Sequence, residues 1–106
     1  MIQQVSPTEL QEKIQSGKKP FLLDVREEFE RDICKLTDDK HIPMKEIPMR
    51  YSELDSSSEI VVYCRSGQRS MNVCNFLAQA GFEKISNLAG GILAWSDQID
   101  PSLPKY

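Results

Sequence analysis

The sequence predicts an open α/β domain, a parallel sheet with helices on both faces, and three observations predict it. Phe21-Leu22-Leu23-Asp24-Val25 and Ile60-Val61-Val62-Tyr63 are short, nearly unbroken apolar runs, the mark of strands buried on both faces. Amphipathic stretches with helix start and stop signals lie between and after them. Strand and helix signals alternate along the chain, the order that a parallel sheet requires. With 106 residues, the chain has room for one domain, spanning 1–106.

Each element has a local reason. Ser6 is a good helix cap, Pro7 suits the first helical position, Glu9 completes a capping box, and Leu10 and Ile14 lie four apart. Ser16-Gly17 ends that helix. After the Phe21–Val25 strand, the stretch from Glu28 to Leu36 places Phe29, Ile33 and Leu36 on one helical face. His41-Ile42-Pro43 is extended, because Pro43 disfavours helical geometry at Ile42. Glu46 to Leu54 has weak helical character, with Pro48 in its first turn, and Asp38-Asp39-Lys40 reads as a solvated turn. Ile60–Tyr63 is the clearest strand and ends at Cys64. From about Arg69, the residues Met71, Val73, Cys74, Phe76, Leu77, Ala78 and Ala80 make a helix apolar on most of its circumference, capped by Gly81 with Phe82 beside it. A last strand near Lys84 to Asn87 leads through Gly90-Gly91 into a helix with Ile92, Trp95 and Ile99 on one stripe.

Composition narrows the function. Apolar residues are 40% and charged residues 27%, the balance of an ordinary globular domain, with no apolar run long enough to span a membrane. Met1-Ile2-Gln3-Gln4 does not resemble a signal peptide, so a cytoplasmic location is expected. Thirteen basic against sixteen acidic side chains give a net charge of −3, without a basic block, and nucleic acid is not an expected partner. Three cysteines without Cys-x-x-Cys spacing and a single histidine assemble neither a disulfide scaffold nor a zinc site; no metal or cofactor is expected.

In open α/β sheets the ligand site lies outside the carboxyl ends of the strands, where Cys64 stands. The loop Cys64-Arg65-Ser66-Gly67-Gln68-Arg69 runs straight into a helix, so its backbone N–H groups can converge on one spot, reinforced by the helix N-terminus and flanked by two guanidinium groups. Such a cradle favours a thiolate over a thiol. Cys64 as a small buried hydrophobe is the plainer reading; the glycine turn, the arginines and the strand-to-helix position agree instead on a reactive sulfur. Cysteine phosphatases need five residues between Cys and Arg, whereas this loop has four. A smaller anion or a sulfur atom suits it better, and the pattern alone does not select the chemistry.

Four motifs now come together: Leu22-Leu23-Asp24-Val25-Arg26-Glu27, His41-Ile42-Pro43, Val62-Tyr63-Cys64-Arg65-Ser66-Gly67-Gln68-Arg69-Ser70 and Leu88-Ala89-Gly90-Gly91-Ile92-Leu93-Ala94-Trp95. In order and spacing they resemble the single-domain rhodanese family from about Val5 to Ile99. The resemblance implies a central, mainly parallel five-stranded sheet and sulfurtransferase chemistry at Cys64. In such enzymes the thiolate takes a sulfane sulfur from a donor such as thiosulfate, becomes a persulfide, and passes the outer sulfur to cyanide, a small thiol or a thiol protein. The loop residues Arg65, Ser66, Gly67, Gln68 and Arg69 would bind the anionic donor and the departing sulfite. Mercaptopyruvate-using members tend to carry Cys-Gly at the start of this loop, so Arg65 favours thiosulfate. The sequence departs from the family at Lys40-His41-Ile42-Pro43-Met44-Lys45, where Gly-His-Ile-Pro-Gly-Ala is usual, and the stretch from Arg31 to Asp39 is several residues longer.

Asp24 and Arg26 match family positions and are assigned structural support, as a charged pair just past a strand end. His41 is a lone histidine that a thiolate mechanism does not need. Cys74 reads as core packing and Trp95 as a core anchor; Cys34 also reads as buried, with a second sulfur-accepting or disulfide-forming role left open. Against the enzyme stands a non-catalytic binding or regulatory module, or a sulfur carrier for a partner protein. Inactive family members often lack the loop cysteine, which Cys64 supplies here.

Overall fold

The computed structural model describes residues 2–106. Five strands form one sheet: β1 (Gln3–Val5), β2 (Phe21–Asp24), β3 (Asp39–His41), β4 (Ile60–Tyr63) and β5 (Ile85–Leu88), in the order β1-β5-β4-β2-β3. Every pairing is parallel, with Leu23 opposite Val62 and Val62 opposite Asn87. Five α-helices accompany them: α1 (Pro7–Gln15), α2 (Glu28–Ile33), α3 (Ile47–Arg50), α4 (Gln68–Gln79) and α5 (Gly91–Gln98).

Alternation along the strands builds two cores. Leu23, Val25, Ile60, Val62 and Cys64 face Val73, Cys74 and Leu77 of α4, with Ile47 of α3 beside them. Leu22, Val61, Tyr63 and Leu88 face Leu10 of α1 and Ile92 and Trp95 of α5. The helices therefore cover both faces. Cys64 continues the phase of Ile60 and Val62, which turns its side chain toward α4. β2 leads outward to β3 while its neighbour β4 leads the other way to β5, so their carboxyl ends flank a topological crevice.

The expected start of α1 holds: Ser6 Oγ accepts from the Glu9 N–H at 3.1 Å and Glu9 Oε1 accepts from the Ser6 N–H at 2.8 Å. So does the end of α4. The Phe82 N–H donates to the Leu77 carbonyl and the Gly81 N–H to that of Ala78, a Schellman cap with Gly81 at φ +97°.

Several expectations are corrected. The helix from Glu28 stops at Ile33, not Leu36, and presents the opposite face: Phe29 is 63% exposed while Glu30 is buried at 3%. A carboxylate drawn inward by Arg69 and the Tyr106 hydroxyl decides the orientation of so short a helix. The chain leaves it at Cys34, in an extended conformation, where the Cys34 carbonyl accepts from Arg26 Nη2 at 2.7 Å. Asp39 is no solvated turn residue; it opens β3 and its carboxylate takes both Arg31 terminal nitrogens, at 2.7 and 2.9 Å. The region from Glu46 to Leu54 is not one helix. 3₁₀ turns at Met44–Glu46 and Tyr51–Glu53 bracket the four-residue α3. α4 buries only the stripe Ser70, Val73, Cys74 and Leu77, leaving Phe76, Ala78 and Ala80 exposed. β1, which carries no apolar run, is held by its pairing with β5.

Candidate functional site

Cys64 lies at the carboxyl end of β4 and is 1% exposed. Its Sγ accepts from the Gly67 N–H at 3.0 Å and from the Ser70 hydroxyl at 3.3 Å. Burial pushes the thiol up, but the Ser70 hydroxyl and the N–H groups of Ser70, Gly67 and Ser66 overcome it and hold the group below its ordinary range. The turn that aims these donors requires Gly67, which caps α4 at φ +107°, a conformation other side chains rarely adopt.

A second helix fastens the loop from behind. The Ile92 N–H donates to the Cys64 carbonyl at 2.9 Å and the Leu93 N–H to the Arg65 carbonyl at 3.1 Å. Gly91 permits this approach, since a Cβ there would stand 2.6 Å from the Cys64 carbonyl oxygen. The first turn of α5 and the cysteine loop are thus one assembly, which explains why the Gly90-Gly91 segment accompanies the loop.

Both loop arginines are engaged. Arg69 donates from Nη1 and Nη2 to the two Glu30 oxygens, at 2.7 and 2.9 Å. The Arg65 Nε donates to the Tyr106 carbonyl at 2.7 Å, Nη2 reaches the same oxygen, and the guanidinium lies 5.2 Å from the centre of the Tyr106 ring. The Tyr106 hydroxyl donates to Glu30 at 2.6 Å and accepts from Arg26 Nη1 at 2.8 Å. Ser66 and Gln68 are exposed on the outer side of the loop.

Asp24 and Arg26 form the floor of this network. Asp24 Oδ1 accepts from Arg26 Nε at 3.0 Å, and Oδ2 accepts from Arg26 Nη2 and Arg31 Nη1, each at 2.9 Å. Arg26 and Asp24 are wholly buried. Three cations, Arg26, Arg31 and Arg69, meet three carboxylates, Asp24, Asp39 and Glu30, so the cluster is balanced. His41 Nε2 bonds the Arg26 carbonyl at 2.7 Å and braces the same floor. Cys34 packs on the α1/α5 face of the sheet and Cys64 on the α4 face.

Glu30, Asn87 and Tyr106 were not singled out by sequence reasoning. Asn87 carries a faint signal, as a polar residue in a strand bounded by apolar ones. Tyr106 carries none.

A loop whose donors converge on a buried cysteine sulfur, at the switch point of a parallel five-stranded sheet, places the domain in the rhodanese class. The family model of the rhodanese-like domain matches residues 6–98, and the chain belongs to that family. It is 40% identical over 100 residues to a putative sulfurtransferase of Bacillus subtilis named YtwF, covering 94% of this chain and 96% of that one. A sulfurtransferase of Allochromatium vinosum is 34% identical over 96 residues, covering 91% of this chain and 90% of its own. A rhodanese-like domain protein of Staphylococcus aureus superimposes with a TM-score of 0.85 at 27% identity, over 99% of both chains.

Proposed function

We propose that the protein is a sulfurtransferase in which Cys64 carries the sulfur. Its thiolate attacks the sulfane sulfur of thiosulfate or a similar donor. A bond forms between Cys64 Sγ and that sulfur, the donor's sulfur–sulfur bond breaks, and its electron pair leaves with sulfite. The negative charge then resides on the outer sulfur, one bond further out, where the loop N–H groups can meet it. Cyanide, a small thiol or a protein thiol attacks the outer sulfur in turn, and the Cys64 thiolate is restored.

The observation that carries this reading is the set of donors converging on Cys64 Sγ from Gly67 and Ser70. Arg65 is exposed and tied to a backbone oxygen, which supports a role in which it exchanges that partner for an anionic donor. Arg69 adds positive charge at the mouth but is tethered to Glu30, so its part is to shape the loop as much as to bind.

Intact mass after incubating the reduced, desalted protein with thiosulfate tests the reading, with Cys64→Ser as the control. One added sulfur atom on the wild type only, discharged by cyanide, is expected. Sulfur gained equally by Cys64→Ser would sink it.

A further inference from the structure

Behind the Cys64 sulfur the buried Ser70 hydroxyl also meets Asn87, a residue that the proposed transfer leaves without a role. Ser70 and Asn87 are as completely buried as Cys64. The Asn87 amide nitrogen donates to the Gly67 carbonyl and to Gln4 Oε1, each at 3.1 Å. A backbone carbonyl only accepts, so this contact fixes the amide: nitrogen toward Gly67, oxygen toward Ser70. Ser70 Oγ contacts that oxygen and lies 3.3 Å from Cys64 Sγ. A hydroxyl has one hydrogen. The amide oxygen and a thiolate are both acceptors, so Ser70 can satisfy only one of them at a time.

We propose that Asn87 is a positioning residue that competes with the Cys64 thiolate for the single Ser70 hydrogen, and so favours the states that carry no charge on Sγ. The idea rests on the persulfide cycle above. In the resting thiol, S–H donates to Ser70 Oγ and the hydroxyl donates to Asn87, leaving nothing unpaired. In the thiolate, Ser70 turns to Sγ, and the buried Asn87 oxygen loses its donor and faces a hydroxyl lone pair at close range. In the persulfide the charge has moved to the outer sulfur, and the hydroxyl returns to Asn87. The free thiolate is the strained member of the three, so Asn87 lowers the thiolate fraction and disfavours the return from persulfide to free thiolate.

No charged group belongs to this hydrogen-bonded set: Gln4 of β1, Ser70 of α4 and Asn87 of β5 are neutral. Of the charges around Cys64, Arg69 is paired with Glu30 of α2 and Arg26 with Asp24 of β2, while the exposed Arg65 donates to the Tyr106 carbonyl. Cys74, further along α4, is a neutral thiol that burial pushes up to about 12.

The test is the pH dependence of Cys64 alkylation by iodoacetamide in the wild type, Asn87→Leu, Asn87→Ala, Ser70→Ala and the Ser70→Ala/Asn87→Leu double variant, with thermal unfolding as the check on folding. The Asn87 variants are expected to titrate about one pH unit lower, which is roughly tenfold more thiolate on the acid limb. Ser70→Ala is expected to titrate higher and to abolish the effect of Asn87→Leu. An unchanged or raised inflection in a folded Asn87 variant overturns the proposal, as does the same shift in the absence of Ser70. Alkylation needs no sulfur donor. A protein that obeys this cycle yet takes no sulfur from thiosulfate refutes the transfer reading alone, and one that turns over while the cycle fails refutes this inference alone.

Discussion

Arg69, in the first turn of α4, and Glu30, the one buried side chain of α2, are joined by two parallel hydrogen bonds of 2.7 and 2.9 Å. The pair fixes the mouth of the cysteine loop to a helix that enters the chain almost forty residues earlier. Burial would raise the Glu30 carboxyl, but Arg69, the Tyr106 hydroxyl and the Glu27 N–H hold it down to about 2.

Glu30→Gln is therefore expected to lose about 2 kcal/mol of stability at neutral pH, measured by urea unfolding. The folded value lies below the ordinary 4.5, so the contribution is whole above pH 4.5 and disappears as pH falls toward about 2. The difference between wild type and variant should narrow over that interval, and a constant gap would contradict the assignment.

Cys64 and Cys74 should separate by reactivity. Cys64 is held below the ordinary thiol range by its donors, whereas burial pushes Cys74 up to about 12. Alkylation of the native protein followed by peptide mass mapping is expected to label Cys64 first and Cys74 only on unfolding. Because the reactive form is the thiolate, the Cys64 rate should fall as pH drops through its lowered value and level off above it.

Gly91→Ala should damage the site through the backbone. The added Cβ would lie 2.6 Å from the Cys64 carbonyl oxygen and against that of Arg65, at a residue with φ +64°. A loss of about 2 kcal/mol or more is expected, with sulfur uptake impaired in whatever protein remains folded. Wild-type uptake would show that α5 does not hold the loop.

Asp24→Asn should be among the most damaging single changes, about 3 kcal/mol by chemical denaturation, because it leaves the buried Arg26 without its carboxylate. Replacing both members, Asp24→Leu with Arg26→Met, is expected to be milder than Asp24→Asn alone, since no uncompensated charge is left on the floor.

Tyr106→Ala removes the ring that anchors Arg65 and the hydroxyl that holds Glu30. The Tyr106 carbonyl still accepts from Arg65, so only the ring's hold is lost, and the KM for thiosulfate is expected to fall by about two- to fivefold, the range of an exposed cation–π contact. KM for an uncharged persulfide donor should not move. Equal changes with both donors would remove Arg65 from anion binding.

What the sequence determined by itself is what neighbouring residues decide. The Ser6–Glu9 capping box, the Gly81 cap and the β4 run each follow from residues a few positions apart, as does the turn of Cys64-Arg65-Ser66-Gly67, whose donors must converge once Gly67 takes its left-handed conformation. The tertiary structure alone decided which face α2 buries, since the pull on Glu30 comes from Arg69 and Tyr106, far along the chain. It also made Asp39 a strand residue through Arg31 and Tyr63, and brought Asn87 to Ser70. Apolar periodicity records how a segment meets a core. It does not record where a buried charge or amide finds its partner, because that partner is chosen by the fold.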